Sequence, residues 1–336
     1  MIRFILAFFR LQMVITKTPY RVSFFGGGTD YSEWYREHGG SVLTSTIDKY
    51  CFVLARYMPP FLGTRYRVFW SKMEMVNTLD EIQHVGVRAC LRYLGIDEGF
   101  EINHAGDLPA RSGLGSSSAF TVGMLNALHV LKREHVPKED LAREAMDVEQ
   151  NVLKETVGIQ DQIECAHGGV NLIEIRRDGS YDVQPVIMSS VRRKQFERHC
   201  MLFFTGLQRS ASEVAAAQVS NAHRKGAELR AIAELVPIAV DAMLHDELKE
   251  FGALLDESWA IKRTLSDKVS NPQIDAIYAR ARQAGAFGGK LLGAGSGGFM
   301  LIFADPEVQR DVREALADLL EVPFAFEFSG TQIVLS

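Results

Sequence analysis

The stretch Asp107-Leu-Pro-Ala-Arg-Ser-Gly-Leu-Gly-Ser-Ser-Ser-Ala119 lies between an alternating segment, Phe100-Glu-Ile-Asn-His104, and an apolar run from Ala119 to Lys132. The first segment reads as a strand and the second as a helix. Gly113 and Gly115 let the backbone turn and approach a ligand with no Cβ in the way. Ser116, Ser117 and Ser118 then stand where unpaired N–H groups gather at a helix start, which is the setting of a phosphate site. Their hydroxyls add donors, or a hard oxygen for Mg²⁺. A helix cap accounts for one serine, not for three behind a Gly-x-Gly.

Glycine is clustered along the rest of the chain. More than half of the 28 glycines fall in the windows 26–40, 106–115 and 285–298. Two familiar phosphate motifs fail in the last window. Gly285-Ala-Phe-Gly-Gly-Lys290-Leu lacks the spacing and the Ser/Thr of a Walker loop. Gly293-Ala-Gly-Ser-Gly-Gly298 fits Gly-x-Gly-x-x-Gly literally, but it leads into a strand-like run, Phe299-Met-Leu-Ile-Phe303, where a dinucleotide fingerprint opens a helix.

The chain has 336 residues, of which 47 % are hydrophobic and 24 % charged, a length that suggests two globular domains. Lys plus Arg is 37 and Asp plus Glu is 42, so the net charge of −5 argues against nucleic-acid binding through bulk charge. Cys51, Cys90, Cys165 and Cys200 show no metal or disulfide spacing and read as reduced thiols of a cytoplasmic protein. The nine histidines form no cluster in the sequence. Between Arg3 and Arg10 the apolar stretch is too short for a signal core, and no run is long enough for a membrane span. Met13 is an alternative start, which would make residues 1–12 an extension.

Strands are expected over 14–25, 41–57, 169–175, 181–188, 200–205, 298–303, 323–328 and 331–335. Helices are expected over 80–94, 119–132 and 138–155, and through most of 211–284. The order is α+β rather than a steady β-α-β alternation. A boundary near 185–200 divides the chain into 13–190 and 191–336.

Three motifs in order resemble those of the GHMP family of small-molecule kinases. They are Thr18-Pro-Tyr-Arg-Val-Ser-Phe-Phe-Gly-Gly-Gly-Thr-Asp-Tyr31, then Leu108 to Ala119, then Lys290-Leu-Leu-Gly-Ala-Gly-Ser-Gly-Gly298. The resemblance implies an N-terminal domain like ribosomal protein S5 domain 2 and a ferredoxin-like C-terminal domain. It implies ATP and Mg²⁺ as well. Where galactokinases carry Gly-Glu-His-Thr-Asp-Tyr, this chain has Gly27 and Gly28 in place of Glu and His. That change opens space and removes a negative charge. With Trp34, Tyr35 and Thr46-Ile-Asp-Lys-Tyr50, it points to a branch that phosphorylates the anomeric hydroxyl of a heptose 7-phosphate for surface polysaccharide synthesis. The rivals are a galactokinase-like or fucokinase-like kinase and a non-catalytic regulator.

The same resemblance distributes the roles. Pro109, Arg111, Ser112, Gly113, Leu114, Gly115, Ser116, Ser117 and Ser118 would hold ATP. Ser117 and Glu149 would hold Mg²⁺, with Ser116 able to exchange with Ser117. Asp161, in Val157-Gly-Ile-Gln-Asp-Gln162, would orient or deprotonate the sugar hydroxyl, and Arg21 would stand beside it. Gly27, Gly28, Thr29, Asp30 and Tyr31 would shape the sugar pocket, and Gly293, Ala294, Gly295 and Ser296 its opposite wall. For Glu149 the competing reading is a solvated helix face shared with Glu144 and Asp147. Phe61, Trp70 and Met73 are read as core rather than adenine contacts. Lys17, Arg56, Arg65, Arg67 and Arg111 all stand as cations for the sugar's phosphate. The partner is a small-molecule sugar phosphate, with no nucleic acid and no membrane, and assembly as a homo-oligomer stays open.

Overall fold

The computed structural model describes residues 13–59, 61–207, 211–221, 224–245 and 247–336, with the backbone alone at 211–213 and 218. The extension expected at 1–12 lies outside the described residues. The first half runs β1 (Met13–Phe25), α1 (Ser32–His38), β2 (Gly40–Tyr57), β3 (Tyr66–Phe69), β4 (Met73–Val76), α2 (Val85–Tyr93) and β5 (Phe100–Gly106). It continues with α3 (Ser116–Leu131), α4 (Lys138–Asp147), a π-helical turn (Val148–Val152), α5 (Gln160–His167), β6 (Val170–Ile175) and β7 (Tyr181–Pro185). The second half holds α6 (Ser190–His199), β8 (Cys200–Phe204), α7 (Ala211–Asn221), α8 (Gly226–Leu244), α9 (Leu248–Arg263) and α10 (Pro272–Gln283). It closes with β9 (Gly288–Leu291), β10 (Phe299–Phe303), α11 (Gln309–Ala315), β11 (Leu320–Glu321) and β12 (Gln332–Leu335).

The long β1 and β2, rich in β-branched and aromatic residues, organise the larger sheet. They pair antiparallel from Met13↔Arg56 to Phe25↔Leu43. One end of β2 pairs with β5 and the other with β6, so the sheet forks around a single strand. The path is β12-β1-β2-β5-β3-β4, with β7 beyond β6, and only β3–β5 is parallel. The smaller sheet is antiparallel, in the order β11-β8-β10-β9. Although last in sequence, β12 pairs with β1 in the larger sheet.

The helix α3 is apolar on nearly all sides and buries almost every residue from Ser118 to Leu131, as a central helix must. It approaches β1 closely at Gly123, where an added Cβ would lie 2.7 Å from Thr18 Oγ1. That contact sets the start of α3 beside Arg21. The two halves share a core of edge-to-face and tilted phenylalanines. Phe24 of β1 meets Phe196 of α6 at 5.7 Å, and Phe251 of α9 meets Phe196 at 4.7 Å and Phe303 of β10 at 5.1 Å.

Several local expectations change. The helix expected over 138–155 ends at Asp147 and passes into the π-turn. The one expected from 80 begins at Val85, after a short 3-10 turn. No strand forms at 323–328, where a lone bridge, Ile47↔Phe326, is made. Phe61, Trp70 and Met73 are exposed: Phe61 lies in the connection between β2 and β3, and the β3–β4 hairpin that carries the other two stands at the open edge of the sheet. Among the described residues no helix is long and apolar enough to cross a membrane, and no group of His, Cys, Asp and Glu could by itself hold a metal.

His129, near the end of α3, places Nδ1 2.8 Å from Glu134 Oε2 and Nε2 2.7 Å from Glu144 Oε2. Two carboxylate acceptors require both ring nitrogens to be protonated. Burial opposes that charge, but the bonds to Glu144 and Glu134 outweigh it and raise the pKa above 6.5. The stabilisation is complete below the unfolded pKa and fades as pH rises through the higher folded value. His129→Gln is therefore expected to lower the denaturant midpoint at pH 6 and to matter progressively less above neutrality, as read by urea titration across pH 5.5–9.

Candidate active site

Several separate segments converge on a cleft of about 270 Å³. One wall is the turn after β1, with Gly27, Gly28, Asp30 and Tyr31. The glycine loop and the start of α3 form the second, and 155–161 the third. The second half contributes Lys262, Lys290, Gly293 and Ala294.

Arg21 ties these parts together. Its Nε and NH2 donate to the two carboxylate oxygens of Asp161 at 2.7 Å each, and NH1 donates to Gly113 O at 2.6 Å. Its backbone N–H donates to Leu114 O at 3.0 Å. The guanidinium is buried, and although burial opposes its charge, Asp161 more than restores it. Asp161 sits in the first turn of α5 and keeps a face open to the cleft. Asp30 is buried, which raises its pKa, and is held by Gly28 N–H at 3.0 Å and Gln160 Nε2 at 3.0 Å.

The glycine loop enters α3 through Gly115, whose φ of 72° places it in the left-handed region, and no side chain caps the helix. The N–H groups of the first turn therefore face the cleft, as an anion site requires. Arg111 also takes a positive φ, 59°, and its N–H donates to Ser116 Oγ at 3.2 Å. Ser117 is exposed at the mouth of the loop. This cradle fits a nucleotide phosphate chain.

Glu149 is fully buried on the π-turn, and this excludes a solvated helix face. It accepts from Ser118 Oγ and Thr121 Oγ1 at 2.9 Å each, and from Gln162 Nε2. Burial pushes its carboxyl up to about 7. The serine it touches is Ser118, one residue beyond the expected Ser117. The oxygen-only set of Ser117 and Glu149 suits Mg²⁺ chemically. Glu149 stands one hydroxyl behind the loop, with Ser118 and Gln162 on Oε2 and Thr121 on Oε1.

Of the other expected residues, some line the cleft and some do not. Gly113, Gly115, Ser116, Ser117, Ser118 and Arg111 line it. Leu114 is in the core, Ser112 is buried, with its O accepting from Phe299 N–H, and Pro109 is outside the cleft. Thr29 is buried and braces the turn through Gly26 O and Ser41 O. Gly295 and Ser296 turn away from the cleft and pack on the 268–269 turn, where Ser296 N–H donates to Val269 O. Four of the five expected phosphate cations are engaged elsewhere: Lys17 over the Tyr50 ring, Arg56 and Arg67 at Glu101, and Arg65 at Asp97.

Reading the sequence did not single out Lys262 or Gln160, and it quoted Lys290 without a role. Lys262 had a signal. Leu248, Phe251, Leu255, Trp259 and Lys262 recur at helical spacing on the buried face of α9, and a lysine in an apolar stripe needs a reason. It donates to Gly293 O at 2.8 Å, and burial, then repulsion from Arg21, brings its pKa down to about 8. Lys290 donates to Phe24 O at 2.8 Å, and burial and Lys262 lower its pKa further.

Residues 82–169 match the GHMP kinases N terminal domain, and residues 239–322 match GHMP kinases C terminal. The chain is 29 % identical to the D-glycero-alpha-D-manno-heptose 7-phosphate kinase of Campylobacter jejuni, over 96 % of this chain and 98 % of that protein. It is 25 % identical to the galactokinase of Pyrococcus furiosus, over 91 % and 93 % of the two chains. The fold is similar to that of a D-glycero-D-manno-heptose 1-phosphate kinase from Bacteroides thetaiotaomicron, with a TM-score of 0.80, 23 % identity and coverage of 96 % and 99 %.

The loops of the second and third motifs touch backbone to backbone. A Cβ on Gly293 would lie 2.5 Å from Gly113 Cα, and no rotamer could relieve it. Gly293→Ala is therefore expected to destabilise the protein by about 1–3 kcal/mol. Gly226→Ala, whose Cβ would meet only Trp34 at 3.8 Å, should be close to neutral. Paired denaturation curves of the two variants check this.

Proposed function

The chain belongs to the GHMP kinases and is an ATP-dependent sugar kinase, and from that premise we propose that it phosphorylates the anomeric hydroxyl of D-glycero-D-manno-heptose 7-phosphate to give the 1,7-bisphosphate. The observation that carries this reading is the buried Arg21–Asp161 fork at the meeting point of an anion cradle and a polar pocket. The Campylobacter relative acts on a heptose 7-phosphate, and Gly27 faces the cleft with no side chain to occupy it, which supports a sugar longer than a hexose.

In this reading Asp30 and Tyr31 contact the sugar hydroxyls, and Asp30 is pre-aimed by Gly28 N–H and Gln160. Asp161 accepts the hydrogen bond of the anomeric hydroxyl. As that oxygen forms its bond to the γ-phosphorus, the bridging P–O bond to the leaving ADP breaks and the proton passes to Asp161. Arg21 fixes the angle of the carboxylate and steadies charge on the moving phosphoryl group. The helix α3 N-terminus, Ser116 and Arg111 hold the phosphate chain. Ser117 and Glu149 are our proposed Mg²⁺ ligands, and the bound ion would neutralise β- and γ-phosphate oxygens. We also propose a division at 190/191, with β12 returning to the first sheet.

Asp161→Asn keeps the shape but loses the proton acceptor, and leaves Arg21 without a counter-charge. It is expected to lower kcat by about 10²–10⁴-fold, with ATP affinity nearly unchanged, read by steady-state kinetics and nucleotide titration. ATP consumption across hexoses, heptoses and their terminal phosphates should be greatest with heptose 7-phosphate, the new phosphate being located by ³¹P NMR. Equal turnover of an unphosphorylated hexose would remove the heptose phosphate assignment.

A further inference from the structure

We propose that the bay beside Gly27, bounded by Ser23, Lys262 and Lys290, is the seat for a phosphate monoester already carried by the acceptor sugar. The inference rests on the sugar-phosphate reading above and adds to it which atoms recognise the phosphate.

The bay is open and its walls are donors. A Cβ placed on Gly27 would meet Ser23 Oγ at 3.6 Å, Gln160 Nε2 at 3.8 Å and Lys262 Nζ at 3.8 Å, all ordinary contact distances. Ser23 is buried at 5 % exposure, and its hydroxyl has no hydrogen-bond partner among the described residues. Leaving such a group unpaired is costly, and a ligand oxygen would satisfy it. Each lysine ammonium carries three donors. The hydrogen bonds of Lys262 and Lys290 go to one backbone carbonyl apiece, Gly293 O and Phe24 O. Both ammonium groups line the cleft.

Charge makes the same case. Among the described residues the cations lining the cleft are Arg21, Arg111, Lys262 and Lys290. Arg21 is committed to Asp161 and Gly113 O, and Arg111 belongs to the nucleotide cradle. The carboxylate nearest the lysines, Asp30, is taken by Gly28 N–H and Gln160. Two buried lysines that repel each other and Arg21 feel Asp30 from a distance but make no salt bridge among the described residues. A dianion between them would relieve both the burial cost and the repulsion. The nucleotide's phosphates have their own cradle in the glycine loop and the start of α3, so this second seat is for the acceptor. Gly27 matters for what it lacks, since a carboxylate there would fill the bay and quench the lysines.

The test compares wild type with Lys262→Met, Ser23→Ala and Gly27→Glu, using heptose 7-phosphate and unphosphorylated heptose as acceptors. Inorganic phosphate binding is measured by calorimetry with ADP saturating. Lys262→Met is expected to shrink the kcat/KM preference for the phosphorylated sugar by at least about 30-fold, mostly through KM, and to weaken inorganic phosphate by at least about tenfold. Ser23→Ala should act in the same direction by about five- to tenfold, and Gly27→Glu more strongly than either. A preference and a phosphate affinity unchanged in Lys262→Met and Ser23→Ala proteins of near-native melting temperature overturn the seat. Equal use of both sugars by wild type, with phosphate binding still dependent on Lys262, overturns the substrate reading and supports the seat. Phosphate binding insensitive to Lys262 overturns the seat whichever sugar is used.

Discussion

The buried fork between Arg21 and Asp161 is the constraint on which the site depends. One guanidinium joins the end of β1, the carbonyl of Gly113 in the glycine loop and the first turn of α5. Arginine suits the task because its planar donors match a carboxylate in two places and stay charged when buried. Desolvating the guanidinium has a cost, and removing Asp161 would leave that buried charge uncompensated. The close approach of α3 to β1 at Gly123 and the joint of Leu114 O with Arg21 N–H exist around that pair.

The glycines divide into three kinds. Gly113, Gly293 and Gly298 are small because another backbone lies where their Cβ would be, so they join the two halves of the molecule. Gly27 lines the cleft with donor side chains at ordinary contact distance from where its Cβ would be, and the proposed phosphate seat lies there. Gly158 is a third case, since its missing Cβ leaves room for the Asp30 carboxylate at 1.8 Å from that position. Glycine clustering alone cannot separate these cases, because absence of a side chain looks the same whether it makes way for protein or for substrate.

Much of the fold was legible because the signals are local. The alternation in 14–25 and 41–57 and the Gly-Ser entry to α3 depend on neighbouring residues, and the observed strands and helix begin within a few positions of the expected ones. Errors fell where tertiary pairing decides. At 323–328 the composition is strand-like, but only Phe326 finds a partner strand. Trp70 and Met73 look like core residues, yet the hairpin that carries them hangs at the sheet edge. The sequence singles out Glu149 as a metal ligand against the competing reading of a solvated helix face, and only the packing of Ser118, Thr121 and Gln162 around it reveals a buried carboxyl.

By itself the sequence determined the family, the α+β class and the three motif positions, because these rest on residue types at short, fixed spacings. The tertiary structure alone decided which atoms those motifs share a cleft with. Arg21 lies 140 residues from Asp161, and their union is a matter of chain crossing. Lys262 and Lys290 meet the turn after β1 only when the shared phenylalanine core draws the two halves together. A hydrogen bond or an ion pair acts over a few ångströms, so contacts between distant parts of the chain exist only once the fold has closed.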